Sequence, residues 1–166
     1  MKKIGTKADA GSRSVPPQAH RELLMYVEDD DDNWRVASLR LSDCYELLRA
    51  RNSAEACRLV DTCGMDLSAI LMDIELRGSE MNGVELTQLL RGKSPSRAAL
   101  PDYARRIVSL STPVIFVTAH GAKYSDAQLL LAGGDKVIAK PIDFGALNVA
   151  LTQLHLSRMA SKRKKV

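Results

Sequence analysis

Long apolar runs are missing from this sequence of 166 residues. One of the longest, Pro113 to Ala119, is far shorter than the ~18 residues that a membrane-spanning helix requires. The N-terminus is basic, but the apolar segment of a secretory signal does not follow it. We therefore expect no membrane span and a protein that stays in the cytoplasm.

Cysteine and histidine are also scarce. The chain has three of each, namely Cys44, Cys57 and Cys63, and His20, His120 and His155. The cysteines lack Cys-x-x-Cys spacing, and the histidines are scattered, so the sequence predicts reduced thiols and no zinc site.

Charge is distributed unevenly along the chain. Residues 21–155 hold 15 basic and 19 acidic residues, whereas the two ends together hold nine basic residues and one acidic residue. The length suits one folded domain, which we place at residues 21–157. Residues 1–20 have the composition of a flexible arm. Residues 158–166 form a basic tail without interleaved aromatic residues, which favours a solvated tail over a nucleic-acid or lipid contact.

Short apolar runs alternate with amphipathic segments through the central region. The predicted strands cover Leu23–Val27, Tyr45–Ala50, a third run that ends at Asp73, Pro113–Thr118 and Lys136–Ala139. The predicted helices cover residues 34–41, 53–60, 84–90, 124–132 and 147–156. This alternation predicts an α/β fold with a doubly wound parallel sheet.

The connection over residues 92–112 is longer than the usual few residues between elements. Within it, Tyr103–Leu110 is a candidate helix. The connection is either a partner surface or a tolerated insertion, and we favour the insertion.

Chemically reactive side chains follow four of the five predicted strands. The first strand ends in Glu28 and Asp29, the third in Asp73, the fourth in Thr118 and the fifth in Lys140. With right-handed crossovers these ends meet at one edge of the sheet. Three crowded carboxylates favour a hard cation, for which Mg²⁺ is the natural candidate. Asp73 is then a candidate nucleophile, while Thr118 and Lys140 are suited to hold phosphoryl oxygens.

Each of these residues also has a structural interpretation. Asp73 could cap a loop, Thr118 could be an ordinary strand residue, and Lys140 could be a surface lysine. Asp30–Asp32 are more simply explained as charges at a helix end. The ordered occurrence of complementary groups at four strand ends favours the functional interpretation for the others.

Five segments carry a resemblance to a known family. In chain order they are MYVEDDDDNW, AILMDIEL, MNGVEL, PVIFVTAH and DKVIAKPI, and together they cover roughly residues 22–156. They resemble the receiver domain of two-component response regulators. The resemblance implies a flavodoxin-like sheet of five parallel strands in the order 2-1-3-4-5, with helices on both faces.

The resemblance also implies how the phosphoryl group is bound. Asp73 would accept it from a sensor histidine kinase or a histidine phosphotransfer protein. Thr118 and Lys140 would bind its oxygens, and the Lys140–Pro141 bond would be cis.

A magnesium site is implied beside the phosphoacceptor. The side chains of Asp29 and Asp73 and the backbone carbonyl of Glu75 would bind Mg²⁺, and Glu28 would hold a metal-bound water. These assignments come from the family and not from spacing alone.

By the same resemblance, the chain is a signalling domain and not an enzyme. Only self-phosphorylation and autodephosphorylation are expected. The few residues after Ser157 predict a stand-alone receiver without an output domain. It would signal through a changed surface on the last two helices and the last strand, read by a downstream protein or by a second copy of the chain.

Two other functions stay open on the sequence. A pseudo-receiver would act as an interaction module without taking phosphate. A phosphatase of the haloacid dehalogenase type also uses a strand-end aspartate, but it has a second aspartate two positions later, where this chain has Glu75.

The sequence departs from the family pattern at two places. The loop between Asp73 and Gly83 is about two residues longer than usual and lacks its proline. Val137 stands three positions before Lys140, where many receivers carry an aromatic residue. By the resemblance, Glu75 and His120, two positions after Asp73 and Thr118, would flank the path of an attacking water. We hypothesise that the Glu75 carboxylate repels anions there and prolongs the phosphorylated state.

Overall fold

The computed structural model describes residues 21–93, 96–119 and 123–163. Its strands are β1 (Glu22–Val27), β2 (Tyr45–Ala50), β3 (Leu67–Asp73), β4 (Val114–Thr118) and β5 (Lys136–Ala139). Its α-helices are α1 (Asp31–Leu41), α2 (Ser53–Cys63), α3 (Gly83–Leu90), α4 (Asp126–Ala132) and α5 (Phe144–Arg163). Short 3₁₀ turns lie at Arg97–Ala99 and Asp102–Ala104.

The five strands form one parallel sheet in the order β2-β1-β3-β4-β5. This arrangement confirms the flavodoxin-like fold predicted from the sequence. Asp73 pairs with Val117, and Thr118 pairs with Ala139. The carboxyl ends of the inner strands are therefore nearly level, which brings the residues after them to one edge of the sheet.

Successive residues of the inner strands pack on opposite faces of the sheet. Met25 and Val27 lie in a cluster with α2, α3 and α4, while Leu24 and Tyr26 lie in a cluster with α1 and α5. Apolar groups buried on both faces explain the continuous apolar runs in the sequence. Fully burying one such side chain contributes about 1.5–3 kcal/mol, so the sheet is a rigid platform for the residues at its edge.

Two helices begin at side-chain caps close to that edge. The Asp30 carboxylate accepts hydrogen bonds from the backbone N–H groups of Asp32 and Asn33, which starts α1 directly after the first acidic pair. Asn82 and Glu85 form a capping box at the start of α3. The caps fix where the loops after β1 and β3 end.

The prediction of a helix over Tyr103–Leu110 is wrong, because only the 3₁₀ turn at Asp102–Ala104 forms there. Ala104 and Ile107 are buried against the α2–α3 side of the sheet. Arg91 donates hydrogen bonds to the carbonyl groups of Leu110 and Thr112. Burial and these bonds hold the segment in an irregular conformation.

The last helix is longer than the sequence predicted. It continues to Arg163, so residues 158–163, assigned above to the basic tail, are helical. Arg158 explains part of the extension, because its guanidinium donates a 2.8 Å hydrogen bond to the Leu67 carbonyl. Among the described residues, no helix is long and apolar enough to cross a membrane. The predicted N-terminal arm, residues 164–166 and His120 lie outside the described residues.

Candidate functional site

The reactive residues that follow the strands converge on one pocket at the carboxyl edge of the sheet. The pocket has a volume of about 330 Å³. Its lining includes all six residues singled out from the sequence, Glu28, Asp29, Asp73, Glu75, Thr118 and Lys140. It also includes Asp30, Asn33, Ile74, Arg77 and Ala119. The parallel sheet accounts for this convergence.

Lys140 bridges the acids of two neighbouring strands. Its Nζ donates to Asp73 Oδ2 at 2.7 Å and to Glu28 Oε2 at 2.8 Å. The Lys140 backbone N–H donates to the Thr118 carbonyl at 2.6 Å, which holds the residue at the end of β5. The Lys140–Pro141 bond is cis, as the resemblance implies.

Glu28 is fully buried and is held by several donors. Besides Lys140, the Tyr26 hydroxyl donates to Oε2 at 2.6 Å, and Asn33 Nδ2 donates to Oε1 at 3.2 Å. Burial alone would raise the pKa of Glu28, but the hydrogen bonds from Lys140 and Tyr26 outweigh it and lower that pKa. Glu28 therefore stays ionised at neutral pH.

Asp73 has a different balance of effects. It is 7% exposed, and this burial is the main reason that its pKa is raised to about 6. The hydrogen bond from Lys140 opposes the rise, and the negative charge of Glu28 adds to it. The pKa of Lys140 is raised, because its bonds to Asp73 and Glu28 outweigh the effect of burial. At pH 7 and above, Asp73 is thus mostly a carboxylate beside an ammonium group.

Three carboxylates form a candidate metal centre. One oxygen each from Glu28, Asp29 and Asp73 lies within 4.8 Å of the other two. The donors are all hard oxygen atoms, which suits Mg²⁺ and does not suit softer ions that prefer sulfur or nitrogen. This carboxylate triad of Glu28, Asp29 and Asp73 therefore fits Mg²⁺, the ion that the sequence predicted.

Thr118 and Glu75 line the pocket together with Asp73, whereas Val137 packs against the core. Thr118 is buried, and its hydroxyl donates to the Ala119 carbonyl at 3.1 Å. Glu75 is exposed and lines the pocket. Val137 packs, partly buried, against the core cluster on the α2–α3–α4 side.

The acidic residues that follow β1 make different contacts. Asp30 caps α1, and Asp31 forms ion pairs with Arg49 and Arg51. Of the acids in this run, only Glu28 and Asp29 belong to the carboxylate triad. Trp34 lies on α1, and the centroid of its ring is 6.4 Å from that of the Tyr26 ring. It packs, partly buried, against the core cluster on the α1–α5 side of the sheet.

Sequence reasoning missed Tyr26, Asn33 and Arg77 as members of the site. Tyr26 precedes Glu28 by two residues, and the period of a strand indicates that both point to the same face. Asn33 follows Glu28 by five residues across a helix start, and no local pattern identifies it. The length of the loop after Asp73 was the only signal for Arg77.

The comparisons with known proteins agree on one family. The family model for the response regulator receiver domain matches residues 24–152. YrkP, a transcriptional regulatory protein of Bacillus subtilis, is 29% identical over 119 residues, which cover 71% of this chain and 42% of YrkP. GlrR, a transcriptional regulatory protein of Escherichia coli, is 29% identical over 129 residues, which cover 77% of this chain and 25% of GlrR. The chain thus spans less than half the length of these curated relatives.

Solved structures show the same fold. The Francisella response regulator 1452 receiver domain gives a TM-score of 0.66 at 18% identity, covering 83% of this chain and 99% of that one. The receiver domain of NtrX from Brucella abortus gives a TM-score of 0.63 at 20% identity, and the match covers 80% of this chain and 97% of that one. Identities this low support the fold alone.

Proposed function

Because this chain belongs to the family of response regulator receiver domains, we propose that Asp73 accepts a phosphoryl group from the phosphohistidine of a histidine kinase or phosphotransfer protein. One observation carries the proposal. A buried carboxylate, its lysine partner and two further acids share a single pocket at the carboxyl edge of the sheet.

The transfer uses the side chains in complementary ways. A carboxylate oxygen of Asp73 attacks the phosphorus, a P–O bond forms, and the P–N bond to the donor imidazole breaks, so that the bond's electron pair leaves with the imidazole. Lys140 and Thr118 hold the oxygens of the transferred group. Lys140 Nζ lies 2.7 Å from Asp73 Oδ2, so it is within reach of a group bound to that carboxylate.

Asp29 and Asp73 would bind Mg²⁺ through their side chains and Glu75 through its backbone carbonyl, while Glu28 would hold a water on the ion. When bound, the ion supplies positive charge against the phosphoryl oxygens. Glu28 also positions Lys140, because the 2.8 Å contact between them keeps the ammonium group beside Asp73.

Phosphorylation then changes a surface that another protein reads. The added charge biases the chain between two arrangements, and the partner binds one of them better. Val137, in place of an aromatic residue, removes one familiar element of such a switch. That observation favours the second candidate function, a pseudo-receiver that binds its partner without phosphate.

Incubation with Mg²⁺ and acetyl phosphate tests the proposal, with intact mass as the readout. We expect the mass of one phosphoryl group to be added to the parent protein and none to Asp73→Asn. Removing Mg²⁺ with a chelator should prevent the addition of the phosphoryl group. A parent protein that stays unmodified supports the pseudo-receiver, and steady turnover of many phosphate esters supports a phosphatase.

A further inference from the structure

The loop between β3 and α3 holds Arg77 over the acidic pocket. Leu76 before it and Met81 near the loop's end are buried in the core. The Ser79 N–H donates to the Leu76 carbonyl at 3.3 Å, and Gly78 has a φ of 67°, so the chain reverses directly after Arg77. The guanidinium is thereby kept near the pocket, although the side chain is 83% exposed.

Arg77 contacts the acids that follow β1. Its Nε lies 3.5 Å from Asp29 Oδ2, and its Nη2 lies 3.7 Å from Asp30 Oδ2. These are long, exposed ion pairs, which are weak in water. Asp30 is already engaged as the cap of α1, whereas Asp29 belongs to the carboxylate triad.

Two side-chain cations therefore divide the triad between them. Lys140 contacts Glu28 and Asp73 through two short bonds in the partly buried part of the pocket. Arg77 contacts Asp29 from the solvent side through a longer one. A divalent cation that binds Asp29 competes with Arg77 for the same carboxylate. Since the contacts of Arg77 are weaker, it is the cation that gives way.

We propose that Arg77 is a tethered competitor of the divalent cation and sets the affinity of this site for Mg²⁺. The inference rests on the proposed function, because it takes the triad as the magnesium site of the phosphoacceptor. Arg77 acts through Asp29 and so is a positioning residue and not a catalytic one. A built-in counter-ion shifts the Mg²⁺ dependence of phosphorylation to higher Mg²⁺ concentrations than the acids alone would give.

Calorimetric titration of the unphosphorylated protein with MgCl₂ tests this. We expect Arg77→Gln to lower the dissociation constant for Mg²⁺ roughly three- to fivefold, as loss of a weak ion pair permits. Arg77→Ala should give the same gain. Because exposed ion pairs are screened by salt, the gain should shrink at high ionic strength.

Arg51→Gln is the matched control. Arg51 lies 3.0 Å from Asp31 in the same acidic segment, and its side chain is also exposed. The variant removes the same charge without touching Asp29, and we expect its affinity for Mg²⁺ to change less than twofold.

Three results overturn the inference. If Arg77→Gln binds Mg²⁺ with unchanged or lower affinity, Arg77 does not compete with the ion. An equal gain in Arg51→Gln assigns the effect to net charge and not to the contact with Asp29. If the parent protein does not bind Mg²⁺ at all, the metal-dependent function itself is refuted. That result differs from the first, in which the parent binds Mg²⁺ and the substitution leaves the affinity unchanged.

Discussion

Glu28 and Asp73 are both buried beside Lys140, yet their pKa values move in opposite directions. Glu28 accepts bonds from Tyr26, Asn33 and the Asp30 N–H as well as from Lys140, and these donors offset its burial. Asp73 shares the same ammonium but also feels the negative charge of Glu28. The ionised Asp73 is therefore the less stabilised of the two, which suits its proposed role as the acceptor of the phosphoryl group.

Asp73→Asn should stabilise the unphosphorylated protein at neutral pH. The pKa of Asp73 is raised to about 6 in the folded state, so its carboxylate lowers stability as the pH rises from about 4 through 6. The neutral amide does not have this effect. We expect the free energy of unfolding of the variant to exceed that of the parent by about 1–3 kcal/mol at pH 7.5 and by less at pH 4.5. Urea titration in the presence of a chelator measures it.

Asp61→Asn removes an exposed carboxylate from α2 and serves as the control; we expect it to change the free energy of unfolding by less than about 0.5 kcal/mol. A variant less stable than the parent at pH 7.5 would show that Asp73 helps the fold through Lys140 more than its burial costs.

Glu75→Asn should shorten the lifetime of the phosphorylated state. Glu75 is exposed and lines the pocket, and we expect its charge to repel hydroxide and anionic donors there. Removing the charge should speed dephosphorylation about two- to fivefold, because repulsion at such distances in water is worth only a fraction of a kcal/mol to about 1 kcal/mol.

The decay of phosphoprotein after dilution of the donor measures this rate. Glu46→Asn, which removes an exposed carboxylate from β2, provides the comparison. An unchanged or slower decay in Glu75→Asn would refute the hypothesis.

At the scale of the elements, the two unusual segments of the chain are linked. The Tyr103 hydroxyl, in the connection between α3 and β4, lies 2.8 Å from Ser53 Oγ and donates to Glu80 Oε2 at 3.3 Å. Ser79 Oγ, in the loop after Asp73, lies 2.9 Å from Ser53 Oγ and 2.7 Å from the Met81 carbonyl oxygen. The long connection is thus linked by hydrogen bonds to the loop that carries Glu75 and Arg77.

Tyr103→Phe should weaken this link. Losing a partly buried hydroxyl with two partners costs about 0.5–1.5 kcal/mol in the free energy of unfolding, which denaturant titration measures. Tyr45→Phe is the control, since it removes a hydroxyl from a partly buried tyrosine of β2 that lies outside this network. Equal stability of Tyr103→Phe and the parent would mean that the connection packs without this network.

The sequence predicted the elements better than their ends and connections. All five strands were predictable, because an apolar run followed by polar residues is a local signal. The error at Tyr103–Leu110 arose because the burial of Ala104 and Ile107 depends on packing against distant elements. Arg77 could not be placed for the same reason, since the burial of Leu76 and Met81 directs it to the pocket.

For the molecule as a whole, the fold concentrates negative charge at one edge of the sheet. Glu28 and Asp29 follow β1 and Asp73 ends β3, so the sheet joins two separate parts of the backbone, and the unfolded chain does not hold Asp73 beside the other two acids. Lys140 compensates two of these carboxylates, and Arg77 compensates the third only loosely. A cation that binds the cluster must therefore favour the folded state.

Mg²⁺ should accordingly stabilise the protein against unfolding. A ligand that binds only the folded state adds about 1.4 kcal/mol at ten times its dissociation constant. Asp29→Asn should lose this gain, because it removes one triad oxygen. Asp31→Asn should keep it, since Asp31 pairs with Arg49 and Arg51 outside the triad. Thermal unfolding at several MgCl₂ concentrations measures both variants. An equal response in the two would mean that Mg²⁺ acts by general screening of an acidic surface, and the triad would then not be its site.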